Sequence, residues 1–132
     1  MPETGPPPSP PGEDICASAD LADGGRGVVF DVLEHGAPAR AFVLRFEGRV
    51  VGYLNRCAHM PAELDWQPGE FLDAGGREIV CAIHGASYDP RTGRCTGGPG
   101  GRGRLTPLQV GEREGRVTWY PSAPLQPVRF DE

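Results

Sequence analysis

Two short stretches of the chain set a thiol beside an imidazole: Cys57-Ala58-His59 and Cys81-Ala82-Ile83-His84, with 21 residues between His59 and Cys81. Each offers one soft sulfur donor and one nitrogen donor, which is metal chemistry. Zinc is one solution, because two cysteines and two histidines make an acceptable tetrahedral set. Fingers, however, order their ligands as a cysteine pair followed by a histidine pair, whereas here each half is Cys then His. A one-residue gap suits an extended loop tip better than a knuckle or a helix. The other solution is a [2Fe–2S] cluster with two thiolates on one iron and two imidazoles on the other. Two loops meeting tip to tip would supply it, each giving one ligand to each iron. The remaining cysteines, Cys16 and Cys95, make the count even. The N-terminus lacks the basic start and apolar stretch of a secretory signal, so a cytoplasmic chain with reduced thiols is expected rather than a disulfide framework.

The surrounding residues carry a resemblance. Asn55-Arg56-Cys57-Ala58-His59-Met60-Pro61, Cys81-Ala82-Ile83-His84-Gly85-Ala86-Ser87-Tyr88-Asp89, Thr92-Gly93-Arg94-Cys95 and Gly97-Gly98-Pro99 together resemble the Rieske family. The resemblance implies a [2Fe–2S] cluster, with Cys57 and Cys81 on the inner iron and His59 and His84 on the outer one. Gly97–Pro99 resembles the loop that covers the cluster, with Pro99 at its end. Gly85 and Ala86 follow the second histidine, and Met60, just after the first, reads either as an apolar lid or as an ordinary packing residue. Tyr88 matches the tyrosine that donates to a ligand cysteine. Rieske subunits of respiratory complexes add one cysteine to each ligand loop, at positions matching Ala62 and Ile83, and a serine at the position of Ala86. None of these is present, so the chain resembles the disulfide-free, soluble ferredoxin type. The gap between His59 and Cys81 exceeds the family's usual mid-teens, and the surplus falls within Trp66–Gly76.

The elements that must position these residues read as strands. Phe42, Leu44 and Phe46 alternate on one face of a strand over Ala41–Phe46, and Glu47-Gly48 turns it back into Arg49–Leu54, which runs directly into the Cys57 loop. Val28–Leu33 is a further strand, Glu78–Ala82 leads to the second loop, and Ser87–Asp89 and Arg94–Thr96 flank a turn at Pro90–Gly93. Leu108–Glu112 and Arg116–Tyr120 form a hairpin around Glu114-Gly115. A turn or two of helix is expected only at Pro61–Trp66. The fold class is therefore all-β, with two or three stacked antiparallel sheets in a sandwich or small barrel and a cluster-binding subdomain at one end. Residues 1–14 are a flexible, proline-rich tail, 15–122 the domain, about 55–101 its cluster-binding part, and 123–132 a C-terminal tail.

Other residues receive plainer readings. His35 sits in an exposed turn, Cys95 is a small packing residue, Cys16 is a thiol beside the tail, and Trp66, Phe71 and Leu72 pack the inter-ligand segment onto the domain. Glu63, Asp65, Glu70, Asp73 and Glu78 make that segment acidic, either as a solvated loop or as a docking surface for a basic partner.

Glycine (20) and proline (15) fill much of the 132-residue chain, which suits a turn-rich β protein of one domain. A net charge of −5 argues against nucleic acid as a partner, and no apolar run reaches membrane-spanning length. All 13 basic residues are arginine, a compositional bias with no functional reading. No dinucleotide fingerprint or phosphate loop is present. The mononuclear iron site of Rieske oxygenases needs two further histidines, and only His35 is left over. The expectation is a one-electron carrier and not an enzyme, monomeric or weakly oligomeric: a ferredoxin between a reductase and an oxygenase. The alternative is a small Rieske subunit of a nitrite reductase-like complex.

Overall fold

A computed structural model describes residues 12–58, 63–65, 67, 69–73, 75–81, 85–97, 103–121 and 125–128. Its strands are β1 (Glu13–Ala17), β2 (Val28–Glu34), β3 (Ala37–Phe46), β4 (Arg49–Leu54), β5 (Ile79–Val80), β6 (Ser87–Tyr88), β7 (Cys95–Gly97), β8 (Gln109–Arg113), β9 (Arg116–Tyr120) and β10 (Leu125–Pro127). They form three antiparallel sheets, ordered β1-β9-β8, β10-β2-β3-β4 and β5-β6-β7. The all-β, stacked-sheet architecture is the one expected. Among the described residues the only helical piece is a 3-10 turn at Ser18–Asp20, and Glu63–Asp65 are not helical. The rest of the helix anticipated at Pro61–Trp66 lies outside the described residues, apart from the non-helical stretch just named. No described helix is long and apolar enough to cross a membrane.

The first two sheets form a base sandwich. His35-Gly36, Glu47-Gly48 and Glu114-Gly115 each take positive φ at both positions, the two-residue turn whose twist matches a right-handed β-hairpin. They fold β2 onto β3, β3 onto β4 and β8 onto β9. β3 is buried on both faces. Ala41 and Val43 point toward the β1-β9-β8 sheet, where Trp119 and Val117 are buried, while Phe42, Leu44 and Phe46 point the other way. Period-two alternation identified one buried face; the second exists because another layer packs there. Arg45 ties the sandwich edge together. Its guanidinium donates to Glu112 (Nη2–Oε2 2.6 Å, Nη1–Oε1 3.0 Å) and to the carbonyls of Leu21 and Ser18.

The third layer is inserted between β4 and β8. The chain leaves the sandwich at Leu54 and returns beside it, where the Leu54 N–H donates to Thr106 O (2.9 Å) and the Leu108 N–H to Gly52 O (2.9 Å). The Tyr53 hydroxyl donates to Pro90 O (2.7 Å), so the strand that enters the inserted layer also grips its far turn. Burial pushes the Tyr53 hydroxyl up to about 12, which keeps this donor protonated at neutral pH. The inter-ligand segment is no loose bulge. Phe71–Asp73 pairs with Glu78–Val80 (Val80 N to Phe71 O 2.9 Å, Asp73 N to Glu78 O 2.8 Å), adding a short arm to the β5-β6-β7 sheet. The Phe71 ring stacks on Phe42 with centroids 3.8 Å apart and planes 12° from parallel. Phe71 and Leu72 thus pack as expected, and Trp66 lies outside the described residues.

Candidate metal centre

Cys57 lies three residues beyond the end of β4, and Cys81 immediately follows β5. Their side chains are 2% and 1% exposed and belong to one core cluster with Ala86, Tyr88, Leu64 and Leu105. The β5-β6 register explains the placement of the second cysteine. Ile79 faces Tyr88 and Val80 faces Ser87; one step on, the Cys81 N–H donates to Ala86 O (2.8 Å). Residues opposite each other in an antiparallel ladder share a face, so Cys81 and Ala86 stand on the buried side with Ile79 and Tyr88. Gly85 closes the loop. It takes φ +74°, a conformation a side chain strongly disfavours, and its N–H donates to Cys81 O (2.8 Å).

Tyr88 reaches across from this hairpin to the first loop. Its Oη accepts the Ala58 N–H (3.1 Å) and lies 3.4 Å from Cys57 Sγ. Either atom of this pair can donate; once Cys57 is a thiolate, only the hydroxyl can. Burial foremost, then the contact with Cys57, holds the hydroxyl well above the ordinary tyrosine range, so it keeps its proton at neutral pH. Ala86, fully buried, brings no hydroxyl to the same pocket. Two buried thiols in one apolar core cluster, one of them beside the Tyr88 hydroxyl, fit a cofactor held through sulfur. His59, His84, Met60 and Pro99 lie outside the described residues. Among the described residues no three metal-ligating side chains converge.

The base of the first loop is fixed by polar contacts. Arg56 grips Glu34 with both guanidinium nitrogens (Nη2–Oε1 2.5 Å, Nη1–Oε2 3.0 Å), and that pairing holds the Glu34 carboxyl below its usual range. Asn55 is 4% exposed, the one buried polar residue among those described. Its part in the loop was not read from the sequence. The available signal was a polar residue ending the apolar run Val50–Leu54.

The acidic inter-ligand segment is largely committed within the fold. Glu63 pairs with Arg40 and Glu70 with Arg26. Asp65 bonds Asn55 and the Gly69 N–H, and Asp73 accepts the Arg77 and Glu78 N–H groups. Four of the five acidic side chains are thus bonded within the fold, which neither reading anticipated. Cys95 is half-buried against the same core cluster and donates to Gly97 O (3.3 Å). Cys16 is buried in the base sandwich, where burial pushes its thiol up. None of the four cysteines forms a disulfide. His35 is exposed in its turn.

Residues 13–121 match the model of the Rieske [2Fe-2S] domain. The chain belongs to that family, and with it goes the [2Fe–2S] cluster. Solved structures share the fold. The ferredoxin of carbazole 1,9a-dioxygenase from Nocardioides aromaticivorans IC177 is 24% identical, with a TM-score of 0.66 over 84% of this chain and 98% of that one. The ferredoxin of Sphingomonas yanoikuyae B1 is 24% identical, with a TM-score of 0.63 over 85% and 100%. A chain in the complex of reduced oxygenase and oxidized ferredoxin of carbazole 1,9a-dioxygenase is also 24% identical, with a TM-score of 0.63 over 83% and 92%. No curated protein matches the sequence.

Proposed function

We propose that the protein is a one-electron carrier, a Rieske-type ferredoxin that takes electrons from a reductase and delivers them to an oxygenase in the cytoplasm. Cys57 and Cys81 hold the inner iron, and His59 and His84 the outer one, within a cluster-binding part spanning about 55–101. The observation that carries this reading is the burial of Cys57 and Cys81 in one core cluster, with the Tyr88 hydroxyl 3.4 Å from Cys57 Sγ. Similarity in fold over 98% and 100% of two ferredoxins' own lengths supports a free carrier over a fixed subunit.

When bound, a Rieske cluster takes up and releases one electron at a potential tuned by its ligands, its burial and the hydrogen bonds to its sulfurs. This chain contributes one such donor through Tyr88 and none through Ala86. Donors to sulfur favour the more negative, reduced state, so a single donor sets a potential in the lower to middle part of the ~−150 to +300 mV Rieske span. Arg56 anchors the first loop to β2, and the core around Leu64 and Leu105 excludes water from the thiol side.

Anaerobic purification tests the reading. The expected product is red-brown, carries iron and labile sulfide in equal amounts, and gives a Rieske-type resonance on reduction. It is reduced by a flavin reductase and reoxidised by an oxygenase in stopped flow. Colourless protein that gains neither iron nor sulfide on reconstitution would overturn the proposal.

A further inference from the structure

We infer that Asn55, acting with Asp65, is the positioning residue of the first ligand loop: its amide clamps the loop's entrance to its exit and so fixes where Cys57 stands. This rests on the ligand assignment proposed above. Asn55 directly follows β4, the strand that enters the loop, and its backbone N–H donates to Arg40 O (2.8 Å). Its side chain then reaches the exit nine residues on, where Oδ1 accepts the Leu64 N–H (2.8 Å). Nδ2 donates to Asp65 Oδ1 (3.1 Å), and Asp65 Oδ2 accepts the Gly69 N–H (3.2 Å). Leu64 is fully buried, so the exit is pinned by an apolar anchor and an amide together.

The chemistry selects asparagine. Leu64 N–H requires an acceptor and the Asp65 carboxylate requires a donor, and a primary amide supplies both from one carbon. The same demand fixes the amide's orientation. Aspartate at this position would keep the acceptor but face a second carboxylate; alanine would leave the Leu64 N–H buried without its partner, a loss larger than that of an exposed bond. Closing a loop costs chain entropy whether or not it carries a ligand. A clamp at its neck meets that cost before the cofactor arrives and restricts Cys57 between its ends.

The test uses the reconstituted full chain and follows cluster loss to an iron chelator, the g-values of the reduced state and the melting temperature. Asn55→Ala should lose its cluster ~10-fold faster, the scale set by leaving one buried N–H without its partner, with shifted g-values. Asp65→Ala should fall between it and wild type, and Asp65→Asn, which keeps an acceptor oxygen, should lie close to wild type. Val32→Ala in the base sandwich controls for general destabilisation, lowering the melting temperature with unchanged g-values. Asn55→Ala matching wild type in loss rate and g-values, or matching Val32→Ala in both, overturns the inference. If Asn55→Ala does not fold, Asp65→Ala decides: wild-type loss and g-values there overturn it. A wild-type protein without a Rieske signal, or Cys57→Ala retaining one, refutes the ligand assignment and takes this inference with it.

Discussion

In the base sandwich, β2, β3 and β4 run 7, 10 and 6 residues and are joined by two-residue turns. In the inserted layer, β5, β6 and β7 run 2, 2 and 3 residues. The long ladders need little beyond apolar alternation, because each added pair brings backbone bonds and a buried side chain. The short ones are supplemented at four described places by a side chain bonding backbone: Asn55 to Leu64, Asp65 to Gly69, Asp73 to Arg77 and Asp89 to Arg91. A half built this way presents loops rather than strands around the two thiols. Its rigidity depends on local clamps, on its seat against Phe42 and, in the family's chemistry, on the metal.

Removing the cluster should separate the two halves most sharply, since metal binding and folding are linked where the ligands tie loops together. Amide exchange in protein stripped of iron should stay slow at Phe42 and Val43 and become fast at Val80, Cys81 and Cys95. Equal protection in both halves would break the comparison. Next in size is Phe71→Ala, which removes the ring stacked on Phe42 and should cost about 3–5 kcal/mol, read as a drop in denaturant midpoint with faster exchange in the inserted layer. A loss below about 1 kcal/mol would show that the arm packs independently of the base.

Tyr88→Phe deletes one donor to Cys57. A hydrogen bond worth about 1 kcal/mol corresponds to roughly 40 mV for one electron, so the potential should fall by that order. An unchanged redox titration would remove Tyr88 from the sulfur's surroundings. The smallest effect belongs to the base sandwich. The Arg45 guanidinium draws the Glu112 carboxyl down from 4.5 to about 2. Its folded-state value is the depressed one, so its stabilisation is present above pH 4.5 and disappears as pH falls toward 2. Glu112→Gln should therefore narrow the stability difference between pH 7 and pH 3. An unaltered difference would show that the pair is too well solvated to matter.

Much of the base was legible because its signals are local. Arg49–Leu54 and Arg116–Tyr120 are strands over the residues anticipated, and Glu47-Gly48 and Glu114-Gly115 are their turns. Glu13–Ala17 and Leu125–Pro127 were not legible as strands. The first carries a register shift between Asp14 and Cys16, and the second ends in proline, which belongs at a sheet edge. Each is a strand because a neighbouring edge was available, and no periodicity within it announces that. In the candidate site, the motif residues came from the pattern of types and the partnership of Tyr88 with Cys57 from the family resemblance, whereas the contacts of Asn55 came from neither. A buried amide has no sequence signature until its partners are known.

The sequence alone determined which atoms could hold a metal and where the hairpins turn, since donor spacing and turn chemistry act over a few neighbouring residues. Tertiary structure decided that both faces of β3 are buried, that Phe71 lies on Phe42, and that an amide on one side of a loop meets an N–H on the other. Those contacts join residues distant in the chain, and only packing brings such residues within van der Waals or hydrogen-bond range.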